Sequence, residues 1–192
     1  MIRIAVIGDI GSGKSYIARL FGYPVFNADD EVLKLYRKSR KCYNELKKAL
    51  PKFIISFPIN KNELTKAIIN SNYNLKKIIK VIHPEIRLKM NKFVKKNKNK
   101  KIIVLDIPLL IENKINRKND ILIFVESKKK EILERLKKRP NYNKKIINKL
   151  KKFQLPVEFK KKKSDFIIKN NFSNNSVKKN VKMIRKKILL NA

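Results

Sequence analysis

Ile4-Ala5-Val6-Ile7-Gly8-Asp9-Ile10-Gly11-Ser12-Gly13-Lys14-Ser15 decides how the rest of the chain is read. From Ile2 to Ile7 the sequence is mostly apolar with little alternation, which is how a strand covered on both faces of a parallel sheet reads. The next eight residues fit G-x-x-x-x-G-K-[ST], and a helical apolar pattern of Ile17, Ala18, Leu20 and Phe21 follows before Gly22 and Pro24 close it. Between a strand and a helix, such glycines let the backbone wrap a phosphate so that several N–H groups converge where the helix dipole also favours negative charge. Lys14 then reaches the outer phosphates of a nucleotide, and the Ser15 hydroxyl is placed to ligate Mg2+. An ordinary Gly-rich turn would require neither the lysine nor the hydroxyl.

Outward from that loop, Val25-Phe26-Asn27 reads as a short second strand. Helical spacing then dominates from Glu31 to about Asn97 through Leu64, Ile68, Leu75, Ile78, Ile79 and Ile82, with breaks expected at Pro51, Pro58 and Pro84. Buried-strand character resumes at Ile102 to Asp106 and again at Ile121 to Val125, and a helix is expected over Lys128 to Leu136. Lys138 to Lys163 is so rich in lysine and poor in apolar residues that it reads as a mobile helical flap. A last strand, Phe166-Ile167-Ile168, precedes the polar turn Asn170 to Asn175 and a terminal helix. Strands alternating with helices predict an α/β fold with a doubly wound parallel sheet, interrupted by a mostly helical insertion and a helical flap.

Several side chains stand where a parallel sheet gathers its ligands. Asp106 ends a buried strand, the position from which such proteins hold a metal, with an N-cap for the following segment as the plain alternative. Asp29 follows the second strand and can take the proton of an acceptor hydroxyl, with Asp30 as a rival and helix capping as the plain alternative. His83-Pro84 carries little by itself. Arg135 and Arg139, one turn apart on the helix leading into the flap, suit bidentate phosphate contact or simple solvation.

Composition narrows the function classes. The 192 residues hold 50 Lys and Arg against 15 Asp and Glu, a formal charge of +35, with 43% hydrophobic residues. The lysines are spread among Asn and Ile through nearly every segment, which fits a drifted, solvated surface better than one polyanion-binding block. The chain also lacks an aromatic single-strand platform or a recognisable base-reading helix. A single cysteine, Cys42, leaves no disulfide framework or zinc spacing and fits a reducing compartment. No stretch approaches the roughly 20 apolar residues of a membrane span, so a cytoplasmic protein is expected.

Taken together, the motifs resemble the dephospho-coenzyme A kinase family over nearly the whole chain. The family's GGIGSGKS loop is similar to Gly8 to Ser15, its D-A-D segment to Asn27-Ala28-Asp29, and its H-P-x-[IV]-R segment to His83-Pro84-Glu85-Ile86-Arg87. Its D-I-P-L-L-[FY]-E segment resembles Asp106 to Glu112, and its Q-x-P…K…A-D-F-x-I-x-N-N pattern resembles Gln154-Leu155-Pro156, Lys160 and Ser164 to Asn171. That resemblance implies ATP binding by Gly11, Ser12, Gly13, Lys14 and Ser15 with Tyr16 beside them, Mg2+ at Ser15, and a hydroxyl base at Asp29. It further implies a role for Asp106 near acceptor or metal, acceptor contacts from His83 and Arg87, a lid beginning at Arg139, and Asn170 near the adenine. The fold implied by the resemblance is a P-loop doubly wound five-stranded parallel sheet with a helical acceptor-binding insertion and a helical lid. It is divided into 1–30, 98–138 and 161–192 for the core, 31–97 for the acceptor (coenzyme A) region and 139–160 for the lid, with ATP and dephospho-coenzyme A as the implied substrates. A monomer without specific nucleic acid or membrane partners is expected. Departures are Asp9 for the second loop glycine, Tyr16 for a usual threonine, Asn27 for the first D-A-D aspartate, Lys34 for a common arginine, and Lys149 as the nearest cation to a lid arginine. Other P-loop kinases acting on nucleoside monophosphates or shikimate, and a basic nucleic-acid-binding P-loop protein, are the competing readings.

Overall fold

The computed structural model describes residues 1–140 and 142–190; Asn141, which falls in the expected lid, lies outside the described residues. In chain order the elements are β1 (Ile2–Gly8), α1 (Lys14–Leu20), β2 (Val25–Asn27), α2 (Ala28–Lys38), α3 (Arg40–Ala49), α4 (Lys61–Asn70) and α5 (Asn72–Lys96). They continue with β3 (Ile102–Asp106), β4 (Ile121–Glu126), α6 (Lys129–Lys137), α7 (Lys144–Lys151), α8 (Val157–Lys162), β5 (Phe166–Lys169) and α9 (Asn174–Leu190). Two units emerge, one made of 1–27, 97–143 and 150–192, the other of 28–96 and 144–149.

The first unit is the sheet. Its five strands run in the order β2-β3-β1-β4-β5, all pairs parallel, as the alternation of strands and helices predicts. Ile4, Val6, Val104, Ile123 and Ile168 form one face, against which Ile17 of α1, its C-cap Phe21, and Val177, Val181 and Ile184 of α9 pack. Ala5, Ile7, Ile103 and Leu105 are buried on the other face, which explains why the central strands read as continuous apolar runs. Burying one such aliphatic side chain stabilises by about 1.5–3 kcal/mol. Register pairs Val6 and Asn27 with Asp106, while Gly8 pairs with Val125 and Glu126 with Lys169 two to three residues further along, so the polar ends of these parallel strands all lie towards the same, C-terminal edge of the sheet. Towards the opposite edge, the buried Arg3 guanidinium meets Asp120 at 2.9 Å, and Asp120 also accepts the Arg117 N–H at 2.9 Å.

In the second unit, α2 starts directly after β2 at Ala28, earlier than the spacing suggests, and Asp29, Asp30 and Glu31 occupy its first turn, where carboxylates suit the helix dipole. Ser39 caps α3 through the Cys42 N–H at 3.1 Å and Asn60 caps α4 through the Asn62 N–H at 2.8 Å. Pro51 and Pro58 fall in the α3–α4 connection, as expected. Pro84 does not break its helix: α5 runs unbroken through it. The proline removes one ladder hydrogen bond, but Leu75, Ile78, Ile82, Ile86 and Met90 lie buried along one stripe, and that burial outweighs the lost bond.

Candidate functional site

β1 delivers Gly8 to the sheet edge, and the chain turns back through Gly13, the N-cap of α1. Gly8 has φ 149° and Gly13 φ 92°, conformations that L side chains rarely adopt. A Cβ at Gly8 would stand 2.7 Å from the Val125 carbonyl oxygen, and one at Gly13 would collide with Asn170 Nδ2. The loop is therefore pressed against β4 and the residues after β5. Lys14 is buried, and its ammonium curls back to donate to the Gly8 carbonyl at 3.1 Å and the Asp9 carbonyl at 2.8 Å. That places a fixed cation over the loop at the first residue of α1, with the Ser15 hydroxyl one residue further along.

Asn170 is only 2% exposed and ties two loops together. Its Nδ2 donates to the Ser12 carbonyl at 2.7 Å while its Oδ1 accepts the Phe172 N–H at 2.9 Å. The same Ser12 carbonyl accepts Ser127 Oγ at 3.0 Å, and the Ser12 hydroxyl is buried with no hydrogen-bond partner among the described residues. Phe172, at φ 60°, holds its ring 4.3 Å from the Arg135 guanidinium. Arg135 lies on α6, but Arg139 does not share that helix as the spacing suggests. It sits exposed in the turn beyond Lys138, with its N–H on the Leu136 carbonyl at 3.1 Å. Tyr16 is exposed and donates to Asn174 Oδ1 at 2.9 Å.

Asp106 is buried at the end of β3, and Asn27 at the end of β2 donates its amide to Asp106 Oδ2. An aspartate at position 27 would put two carboxylates in contact; the asparagine turns that repulsion into a hydrogen bond. Two residues of the resembling motifs, Gln154 and Lys160, reach the loop from Gly8 to Ser15, and a third, Glu112, holds the backbone next to Gln154. Glu112 accepts the Leu155 N–H at 3.0 Å, Gln154 Nε2 approaches the Gly8 carbonyl at 3.4 Å, and Lys160 Nζ pairs with Asp9 Oδ1 at 2.9 Å. Their chemistry gave no sign of this, because the partners lie 43, 146 and 151 residues apart.

Within the second unit, Asp29 and Asp30 are both exposed in the first turn of α2. His83 and Arg87 stand one turn apart on α5. Burial and, behind it, the charge of Arg87 hold the His83 imidazole below the usual histidine range, favouring its neutral form. Lys149 donates to the Ile68 and Ile69 carbonyls at 2.9 and 3.0 Å, capping the C-terminal end of α4. In this arrangement the nearest counterpart of a lid arginine serves a helix end.

The family model described as dephospho-CoA kinase matches residues 2–176. A dephospho-CoA kinase of Wolbachia pipientis wMel is 33% identical over 193 residues, covering 98% of each chain. Among solved structures, a Thermus thermophilus protein aligns with a TM-score of 0.76 at 25% identity over 97% of each chain. The dephospho-CoA kinase from Campylobacter jejuni shares the fold, with a TM-score of 0.63 at 22% identity over 98% of each chain.

Proposed function

We propose an assignment of roles for this site from the premise that the chain belongs to the dephospho-CoA kinase family, as its family match and full-length relatives show. The family consists of ATP-dependent kinases, and the activity of this chain is transfer of the ATP γ-phosphoryl group to dephospho-coenzyme A. In the proposed chemistry the ribose 3′-hydroxyl oxygen attacks the γ-phosphorus, the bond to the β,γ-bridging oxygen breaks, ADP departs, and the hydroxyl proton passes to a carboxylate. That carboxylate is Asp29, on the strength of its place just after β2, in the first turn of α2.

Gly11, Ser12, Gly13, Lys14 and Ser15 are the ATP-binding residues in this reading, with Tyr16 next to them. Lys14 supports the transferring charge with an ammonium that needs little rearrangement, since its stem is already buried over the loop. Asn170 fixes the Ser12 carbonyl beside the nucleotide, and Arg139 begins the lid. His83 and Arg87, a neutral donor or acceptor and a cation on one helix face, are the acceptor contacts. The Ser15 hydroxyl and the Asp106 carboxylate are hard oxygen donors of the kind Mg2+ takes alongside phosphate and water oxygens, and they would hold it here. Bound Mg2+ would neutralise phosphate charge. In the same reading, 1–30, 98–138 and 161–192 form the core, 31–97 the acceptor region and 139–160 the lid, of a cytoplasmic monomer. Among the described residues, no helix is long and apolar enough to cross a membrane.

The observation that carries these roles is the convergence of Gln154, Lys160 and Asn170 on the loop from Gly8 to Ser12, because it gathers the discriminating motifs at the predicted phosphate cradle. Following ADP release with and without dephospho-coenzyme A tests it. The expected result is ADP formation that depends on the acceptor and yields a product carrying one added phosphoryl group. ADP release at the same rate without acceptor would refute the reading.

A further inference from the structure

Position 9 holds the one carboxylate inside the loop from Gly8 to Ser15, where it opposes the binding of a polyanion. Positive φ in this loop occurs at Gly8, Gly11 and Gly13 and not at Asp9, so the backbone there accepts any L residue. At position 9 the feature that bears on phosphate binding is therefore the side chain's charge and not a special backbone conformation. Lys160 answers that charge. It is 2% exposed, the innermost of the lysines on α8, and its Nζ lies 2.9 Å from Asp9 Oδ1. The neighbouring Lys161 turns outward to Glu126 instead. Lys160 is held in place from both sides: its carbonyl accepts Ser164 Oγ at 2.7 Å, and its N–H donates to the Pro156 carbonyl at 3.1 Å. Asp9 thereby joins two ammonium groups, Lys14 on its carbonyl oxygen and Lys160 on its carboxylate.

We propose that Lys160 is a positioning residue for nucleotide binding, which neutralises the Asp9 carboxylate and pins it so that the loop presents positive charge to the ATP phosphates. This rests on the reading that the loop binds ATP. A buried ammonium that loses its partner, or a carboxylate left alone beside phosphates, carries a large electrostatic cost, so the two residues act as a unit. The unit makes a definite prediction: deleting the lysine is harmful only while the carboxylate remains.

The test compares the parent, Lys160→Met, Asp9→Asn and the double variant, with ATP affinity measured without acceptor and KM and kcat measured with saturating dephospho-coenzyme A. Lys160→Met is expected to weaken ATP binding and raise its KM by about tenfold or more, with kcat within about threefold. Asp9→Asn, whose amide oxygen still accepts from Lys160, should bind ATP at least as well as the parent, and the double variant should match Asp9→Asn within about threefold. An unchanged Lys160→Met overturns the proposal. A double variant as weak as Lys160→Met also overturns it, since Lys160 would then act through packing or directly on phosphate. If Lys160→Met is not recovered folded, the comparison of the double variant with Asp9→Asn decides: equal affinity supports the pairing, and a tenfold loss overturns it. A parent that binds no ATP would instead overturn the ATP reading of the loop, and the proposal with it.

Discussion

Asn170→Ala is the perturbation whose size follows most directly from the structure. The side chain is nearly fully buried and makes two hydrogen bonds, 2.7 Å to the Ser12 carbonyl and 2.9 Å from the Phe172 N–H. Each such bond contributes about 1 kcal/mol net, and a polar group left without a partner adds more. The Ser12 carbonyl keeps Ser127 Oγ as a second donor and the Phe172 N–H is only partly buried, so the total is about 2–3 kcal/mol. For a chain of this length that lowers Tm by about 5–10 °C. Because the lost bond fixes a loop carbonyl, the KM for ATP should rise along with the loss of stability. Asn170→Asp is the sharper companion: it keeps the acceptor for Phe172 but sets a carboxylate oxygen against the Ser12 carbonyl oxygen, and should weaken ATP binding more than alanine does. Thermal melts with and without ATP, together with steady-state kinetics, provide the readout. An Asn170→Ala protein with Tm within about 1 °C of the parent and an unchanged KM for ATP would refute the reasoning.

Lys14→Ala should lower kcat by about 10²-fold or more while leaving a folded protein, because a cation facing the transferring charge is lost; activity within threefold of the parent would remove Lys14 from the mechanism. Asp29→Asn should lower kcat by about 10²-fold with little change in the KM for ATP, whereas Asp30→Asn should cost little. If Asp30→Asn is the inactive variant, the base has been placed one residue too early. His83 gives a pH dependence of stability. Its pKa is depressed in the fold relative to about 6.5 unfolded, so its contribution is fully present above pH 6.5 and is lost as pH falls below it. The parent's Tm should therefore fall more steeply than that of His83→Gln between pH 7.5 and 5, and parallel curves would show that the imidazole is not held neutral.

The sheet was legible because burial on both faces writes itself into sequence: Ile102 to Asp106 can be little else than an inner strand, and β1, β2 and β3 were located within a residue. The phosphate loop was legible because its residue types are each demanded by backbone conformation or charge. Pro84 misled because a proline's local cost is visible in sequence while the buried stripe that offsets it in α5 is a tertiary fact. The same limit hid the partners of Asp9, Gly8 and Phe172. Lys160 and Gln154 look like members of a solvated basic stretch, and Arg135 looks like an exposed helix charge, until folding brings each to a residue far away in the chain. The cation at Lys149 reads as a lid residue by order alone; its carbonyl partners on α4 come from folding within the second unit.

The central claim is tested most directly by offering labelled ATP to the protein with dephospho-coenzyme A, AMP, UMP and shikimate at equal concentration and following label into each product. Transfer to dephospho-coenzyme A ahead of every other acceptor is the predicted result, and faster turnover of any of the other three would contradict it.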